Sequence, residues 1–366
     1  MRVLFLAGYE NPAYQRKVDL LADAPDVELV LLNSSRRLPA GRRQSASGQR
    51  SYTIAHMARA WGGSDPHRSL YWPPGLALRR HRPDVIHCEF EQESLGAAQA
   101  ALVRRLLRPH AALILYAYQN ILRPRRRLVR AVSRLTLRAA PAVVCASQGA
   151  ADVLRQQGYT GQTPILPVLG IDTNVFHPGP GAERAGELVI GYAGRLAPEK
   201  DLPTLLRAAA QMRGPARLII AGEGSEAYAL ATLARELGIA QDCEFRGPVG
   251  YGDIPVLLRA FDVLVLPSRT MPHWKEQFGR VLVEAMACGV VVVGSSSGAI
   301  PEVLGGAGVI FPEGDAPALA QSLDDLAQRP EERRALRERG LARVREHYTV
   351  QHIAAEVLAL WRRLAA

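Results

Sequence analysis

Residues 268–303 read SRTMPHWKEQFGRVLVEAMACGVVVVGSSSGAIPEV. Gly279 is suited to open a helix there, and Val281, Leu282, Ala285 and Met286 give that helix an apolar face. Gly289 ends it, because glycine readily takes the left-handed backbone just past a helix. Glu284 then projects from the second turn, while Glu276 sits in the loop ahead of the first. The N–H groups of that first turn, near Phe278, Gly279 and Arg280, lack helical partners and favour anions. Carboxylates accept from hydroxyls and backbone amides hold phosphate, so the pattern suits a polyhydroxylated, phosphorylated ligand such as a nucleotide-sugar. Spacing alone leaves Glu284 open as a solvated group on an exposed helix face.

The same change from helix to apolar run recurs along the chain, which predicts an α/β protein with parallel sheets covered by helices. The first half offers the runs VLFLAG, VELVLL, DVIHCE, ALILYA, AVVCAS and a short PILPV as strands. The second half offers LVIGYAG, RLIIAGEG, CEFRGPV, VLVLPS, VVVGS and GVIFP. Between them GIDTNVFHPGPGAERAGE is rich in Gly and Pro and reads as a linker. The divisions expected are residues 1–170, a linker at 171–187, and residues 188–349, with a helical tail to 366 that breaks near Tyr348. RRLPAGRRQSASGQRS, residues 36–51, reads as a mobile basic loop.

A chain of 366 residues is long enough for two domains with their own cores. Hydrophobic content of 48% and mean hydropathy near zero suit a soluble protein, and no apolar run reaches the roughly 18 residues of a membrane span. VLFLAG reads as a first strand rather than a signal peptide. Cys88, Cys145, Cys243 and Cys288 show no metal-ligand spacing, so reduced thiols and a cytoplasmic location are expected. Residues 1–178 carry 24 Lys+Arg against 12 Asp+Glu, a balance of +12, and the remainder carries 21 against 23, a balance of −2. The basic excess lies wholly in the first half and is densest between Ser94 and Ala151, which contains no acid.

A second chemical cluster lies in GYAGRLAPEKDLPTLLRAAA, residues 191–210. It reads as a strand ending at Gly194, a loop, and a helix capped by Asp201 with Pro203 in its first turn. Arg195 and Lys200 leave the carboxyl end of that strand, where open α/β sheets bind ligands. A guanidinium and an ammonium there can neutralise a departing diphosphate without metal. Taken alone, they also read as solvated loop cations.

The run EQFGRVLVEAMACG with the later GAIPEV, and GRLAPEKD ahead of it, resembles the retaining glycosyltransferases of family 4. The resemblance spans nearly the whole chain and is strongest over residues 191–312. It implies the GT-B fold, two Rossmann-like doubly wound domains facing across a cleft, with the last helix (350–366) crossing back onto the first domain. It implies that Glu276 contacts the hydroxyls of the donor sugar, that Glu284 contacts the ribose, and that Arg195 and Lys200 meet the diphosphate of a UDP- or GDP-sugar. The turn CEFRGPVG would meet the base through main chain near Pro248 and Val249, and Gly194, Glu223 and Gly224 would line the donor site. Glu223 also reads as a plain turn residue, and Glu302 as a structural cap. No metal or other cofactor is expected. The acceptor would be a glycan, lipid-linked or small-molecule hydroxyl, in cell-envelope polysaccharide or glycoconjugate synthesis.

Departures from the family lie in the first half. The loop after the first strand is GYENPAY, with only Gly8 of the usual glycine pair. Where many members have a histidine after the fourth strand, this chain has Tyr118, Gln119 and Asn120, and Gln119 is the candidate to orient donor or acceptor. His87 follows an earlier strand, and reads either as an acceptor-side group or as a packed histidine. No general base is identifiable. The family's retaining transfer needs no protein nucleophile, because front-face attack lets the leaving diphosphate take the acceptor's proton.

In RPRRRLVRAVSRLTLRAA, residues 123–140, Arg127, Arg130, Arg134 and Arg138 share one helix face, with Leu128, Val132 and Leu135 on the other. This reads as a solvated domain face, or as a basic helix lying on anionic lipid at the inner face of a membrane. A nucleic-acid role lacks aromatic platforms and a module. A dinucleotide oxidoreductase is disfavoured, because GYENPAY is not G-x-G-x-x-G. A GT-B epimerase or phosphorylase and a non-catalytic sugar-nucleotide binder are the remaining alternatives; a phosphorylase would need a cofactor lysine site that is not found.

Overall fold

The computed structural model describes residues 1–35, 39–61, 68–72, 74–179 and 187–365. Two compact units divide it: Met1–Gly170 with Val350–Ala366, and Ile171–Thr349.

In the first unit the strands are β1 (Arg2–Ala7), β2 (Glu28–Asn33), β3 (Gly41–Gln44), β4 (Ser51–His56), β5 (Ala58–Trp61), β6 (Leu70–Trp72), β7 (Val85–Cys88), β8 (Ala112–Ala117) and β9 (Ala142–Cys145). Its helices are α1 (Arg16–Leu21), α2 (Pro74–His81), α3 (Leu95–Leu107), α4 (Arg127–Ala139) and α5 (Gln148–Gln156). The sheet runs β3-β4-β2-β1-β7-β8-β9, parallel except for the antiparallel edge pair β3–β4, and β5–β6 form a separate antiparallel ribbon. β7, β8 and β9 are buried along their whole length, as parallel strands covered on both faces must be.

The second unit contains β10 (Leu188–Ala193), β11 (Ala216–Ala221), β12 (Cys243–Gly247), β13 (Val263–Leu266), β14 (Val291–Ser295) and β15 (Val309–Phe311). Between and after them come α6 (Leu202–Ala209), α7 (Ala227–Glu236), α8 (Ile254–Arg259), α9 (Arg280–Ala287), α10 (Ile300–Leu304), α11 (Ala316–Gln328) and α12 (Pro330–Arg343). A π-helical turn at Val344–Tyr348 follows, and α13 (Val350–Ala365) returns to the first unit. The sheet is wholly parallel in the order β12-β11-β10-β13-β14-β15. Its order reverses at β10, so the carboxyl ends of β10 and β13 flank the switch point where ligands bind open α/β sheets. In the first unit β1 and β7 hold the same place.

Four expectations need correction. The basic stretch after residue 38 is ordered: β3 pairs with β4, Arg43 reaches Asp19 through two bonds of 2.8 and 3.1 Å, and Ser47 caps onto Asp23. Arginines suit such an edge strand because charge blocks further pairing; Arg36 and Arg37 lie outside the described residues. PILPV is no strand, only a bridge at Ile165 to Cys145, since Pro164 and Pro167 have no N–H to give a ladder. Ile171 and Phe176 are no linker: both are buried in the second unit's core, while residues 180–186 lie outside the described residues. Asp201 does sit at the N-cap of α6, but in left-handed conformation (φ 46°), and its carboxylate takes the Thr204 hydroxyl at 2.8 Å instead of a helix N–H.

Candidate functional site

Glu276 lies in the loop after β13 and Lys200 closes a short 3-10 turn (Pro198–Lys200) after β10. Neighbouring strands therefore deliver the two side chains to one point, where Lys200 Nζ donates to Glu276 Oε2 at 2.6 Å. The Ser268 hydroxyl donates to the same oxygen at 2.8 Å. Both charged side chains are largely buried, at 14% and 8% exposure, and the ammonium stands 4.8 Å from the centre of the Trp274 ring. The main chain of Glu276 is held as well: Ala299 N–H donates to its backbone carbonyl at 3.0 Å. Gly298 is required there, since its φ is +55° and a Cβ would lie 2.1 Å from that carbonyl oxygen.

Arg195 follows Gly194 at the end of β10 and stays exposed, 2.9 Å from Glu199. Its carbonyl accepts the Tyr192 hydroxyl at 2.7 Å, which fixes the loop while leaving the guanidinium outside. Glu284 is buried on α9 behind Gly279, the left-handed N-cap (φ 76°). Burial pushes its carboxyl up, and Arg280 opposes the shift through a 2.7 Å bond. Arg280 in turn donates to the Tyr251 hydroxyl at 2.8 Å, so the turn after β12 and the acid on α9 are joined. Phe278 packs edge-on against Tyr348, with ring centres 5.8 Å apart.

The glycines after β11 let two loops of the second unit approach closely. A Cβ on Gly222 would meet the Gly194 carbonyl at 1.8 Å, and one on Gly224 the Leu196 carbonyl at 2.2 Å. Their close approach is to the Arg195 loop itself. The Leu196 amide donates to the Glu223 carbonyl at 2.8 Å, and the Glu223 side chain is exposed. Pro248 is exposed after β12, and Val249 packs on the second unit's core. Arg343 donates to the Glu302 and Val303 carbonyls, each at 2.6 Å, and so finishes α10.

Gly8 and Gln119 belong to the first unit, after β1 and β8. His87 is not an acceptor or membrane surface group. It is buried to 2%, stacked 4.5 Å from the Phe5 ring, and its Nδ1 accepts the Trp361 indole N–H at 3.0 Å. Burial, with Lys17 nearby, holds it neutral, its pKa well below the usual value. The reason is strand geometry, because β7 is covered on both faces and α13 supplies the cover.

On α4 the four arginines at 127, 130, 134 and 138 are exposed, but the opposite face is not the one read from the pattern. Ser133, Thr136 and Leu137 turn inward, the Thr136 hydroxyl reaching the Gln92 carbonyl at 2.6 Å, while Leu128 is 75% exposed. Leu102 and Leu106 of α3 are exposed too, and a groove between the helices is lined by Leu102, Arg104, Arg105, Arg134, Leu135 and Arg138. Sequence reasoning missed Ser268, Trp274 and Tyr251, although the first two lie inside the stretch that carried the argument. It also missed the buried pair Lys17–Glu89. Among the described residues no helix is long and apolar enough to cross a membrane, and no group of three or more His, Cys, Asp or Glu is placed to hold a metal ion.

The family model described as "Glycosyl transferases group 1" matches residues 177–343, and "Glycosyltransferase Family 4" matches residues 20–175. The chain is similar to the D-inositol 3-phosphate glycosyltransferase of Mycobacterium tuberculosis, at 39% identity over 145 residues. That match covers 36% of this chain and 29% of the relative, under a third of its length. Among solved structures, Anabaena HepE in complex with UDP superposes with a TM-score of 0.76 at 21% identity, over 99% of this chain and 100% of the other. Sucrose-phosphate synthase from Thermosynechococcus elongatus gives 0.73 at 20% identity, over 100% and 99%. These structures establish the fold as GT-B. With one model ending at residue 175 and the next beginning at 177, on a fold of two parallel sheets, the chain belongs to glycosyltransferase family 4, of the group 1 type.

Proposed function

We propose that this chain is a retaining, metal-independent glycosyltransferase that moves a sugar from a UDP- or GDP-sugar to a hydroxyl acceptor. The observation that carries the reading is the meeting of Lys200 and Glu276 at the switch point, with Arg195 exposed beside them and Glu284 buried one helix turn beyond. Structures of Anabaena HepE contain UDP and UDP-glucose, which supports a nucleotide-sugar as donor. Arg195 and Lys200 neutralise the diphosphate as the bond from sugar carbon to phosphate oxygen breaks. The acceptor oxygen bonds to that carbon on the same face, and its proton passes to the departing phosphate. Glu276 accepts from sugar hydroxyls and Glu284 from the ribose.

A thermal-shift screen of UDP-, GDP- and ADP-sugars in excess EDTA tests this directly. A matching donor at ~100 times its Kd adds ~2.7 kcal/mol of stability, and transfer persists in the chelator. Activity lost in EDTA and restored by Mg²⁺ or Mn²⁺ refutes metal independence. Glu284→Ala should weaken bare-nucleotide binding, whereas Glu276→Ala should bring no loss of it and should damage nucleotide-sugar turnover. Equal loss of bare-nucleotide affinity in both would end this division of roles.

The exposed leucines set among arginines on α3 and α4 favour a membrane-bound acceptor as the substrate. Apolar side chains enter the bilayer boundary while the arginines meet anionic headgroups. Sedimentation with anionic vesicles at low and high salt tests it, and no binding at low salt points to a soluble acceptor.

A further inference from the structure

The loop from Arg269 to Lys275 is fastened at its start. Arg269 N–H donates to the Glu199 carbonyl at 2.9 Å, within the turn that carries Lys200. Thr270 gives both its N–H and its hydroxyl to Glu313, at 2.6 and 2.7 Å. Met271 and Trp274 then exchange backbone bonds of 2.7 and 3.2 Å, closing a tight turn at Pro272–His273. The turn delivers the indole to the Lys200 ammonium at 4.8 Å. On the other side Ser268, fully buried, gives its hydroxyl to Glu276, and the Ser268 carbonyl is itself held by the Ser295 hydroxyl. Lysine and glutamate therefore each keep one neutral partner that does not depend on the other.

We propose that Ser268 and Trp274 are positioning residues that make Lys200–Glu276 an exchangeable ion pair, in which a nucleoside diphosphate takes the lysine and so releases the glutamate for the sugar's hydroxyls. This rests on the donor reading above. A diphosphate outcompetes one carboxylate for an ammonium because it brings more charge and more acceptor oxygens. Glu276 then retains the Ser268 hydroxyl and Lys200 the face of Trp274, so neither is left buried without a partner. The two halves of the donor are thereby coupled, since the diphosphate frees the group that reads the sugar.

The test is calorimetric titration of the full chain with UDP and GDP, alongside turnover of their glucose conjugates. Glu276→Gln removes the competitor for Lys200, so it should bind the bare nucleotide about fivefold tighter than wild type while turnover falls. In a Lys200→Met background the same substitution should give no gain. Trp274→Leu should lower kcat about tenfold, and Trp274→Phe, which keeps an aromatic face, should restore it to within about threefold of wild type. Unchanged or weaker nucleotide affinity in Glu276→Gln, with wild type binding normally, overturns the exchange and leaves the donor reading standing. Equal effects of Leu and Phe overturn the role of Trp274, and this arm does not depend on the folding of Glu276→Gln. Wild type that binds neither nucleotide overturns the donor reading and the exchange together.

Discussion

Each unit places a lysine–glutamate pair at its switch point, and the two pairs differ in what surrounds them. In the first unit Lys17 meets Glu89 beside β1 and β7; in the second Lys200 meets Glu276 beside β10 and β13. Each ammonium also faces an aromatic ring, Phe5 at 5.4 Å and Trp274 at 4.8 Å. Lys17 and Glu89 are exposed by only 3% and 4%, Lys17 also donates to the Val168 carbonyl, and His87 stands 3.9 Å from the same carboxylate. Phe5 and His87 are sealed by Trp361 from α13. Lys200, by contrast, lies against a loop indole, and Glu276 accepts a serine hydroxyl. The first pair is built into a core and the second into a loop, so the same motif at the same topological place gives structure in one case and a candidate for chemistry in the other.

The sharpest way to break this contrast is Lys17→Met. It strands a buried carboxylate and should cost about 3–5 kcal/mol of unfolding free energy, read as a lowered urea midpoint. A loss under ~1 kcal/mol would mean that Glu89 is solvated and the contrast is false. Lys200→Met should behave in reverse. Turnover should fall ~10²–10³-fold, the scale of losing one stabiliser of developing charge, with the urea midpoint nearly unchanged. Comparable losses of stability in the two variants would make both pairs structural.

A smaller effect comes from His87, whose pKa the fold depresses. The unfolded chain takes up its proton below about pH 6.5 while the folded chain resists it. Stability is therefore full above that pH and falls as pH drops below it, by at most ~1.4 kcal/mol per unit for one group. Urea midpoints at pH 7.5 and 5.5 should diverge in wild type and diverge less in His87→Gln. Matching slopes would show that the imidazole is not sealed. Least of all should be Arg127→Gln, which neutralises one exposed arginine of the first unit. It should weaken binding to anionic vesicles by ~1 kcal/mol at low salt and leave nucleotide binding in the second unit unaltered.

Much of the second unit is legible in its sequence. Its strands are short apolar runs between clear helical segments, and all six runs read from the sequence became strands. The helix bracketed by Gly279 and Gly289 also formed where local backbone preference put it, with φ of 76° and 74° at the two glycines. The first unit hid more. GRRQ in β3 has no apolar alternation and gains its place only by pairing with β4 and by the bond from Arg43 to Asp19. Helical periodicity places Leu128 on the face opposite the arginines, yet the neighbours of α4 select Ser133, Thr136 and Leu137 as its buried face.

The class of fold, the order of the second unit's strands along the chain, and the family motifs around Arg195, Lys200, Glu276 and Glu284 are all legible in the residues alone. These follow from local periodicity, glycine conformations and short spacings, which lie within one segment. Tertiary structure alone decided which charges meet. Lys200 and Glu276 are 76 residues apart in the chain, and Trp361 and His87 are 274 apart. No local pattern encodes such pairs, because parallel strands joined by crossover helices bring distant carboxyl ends together only once the sheet has formed.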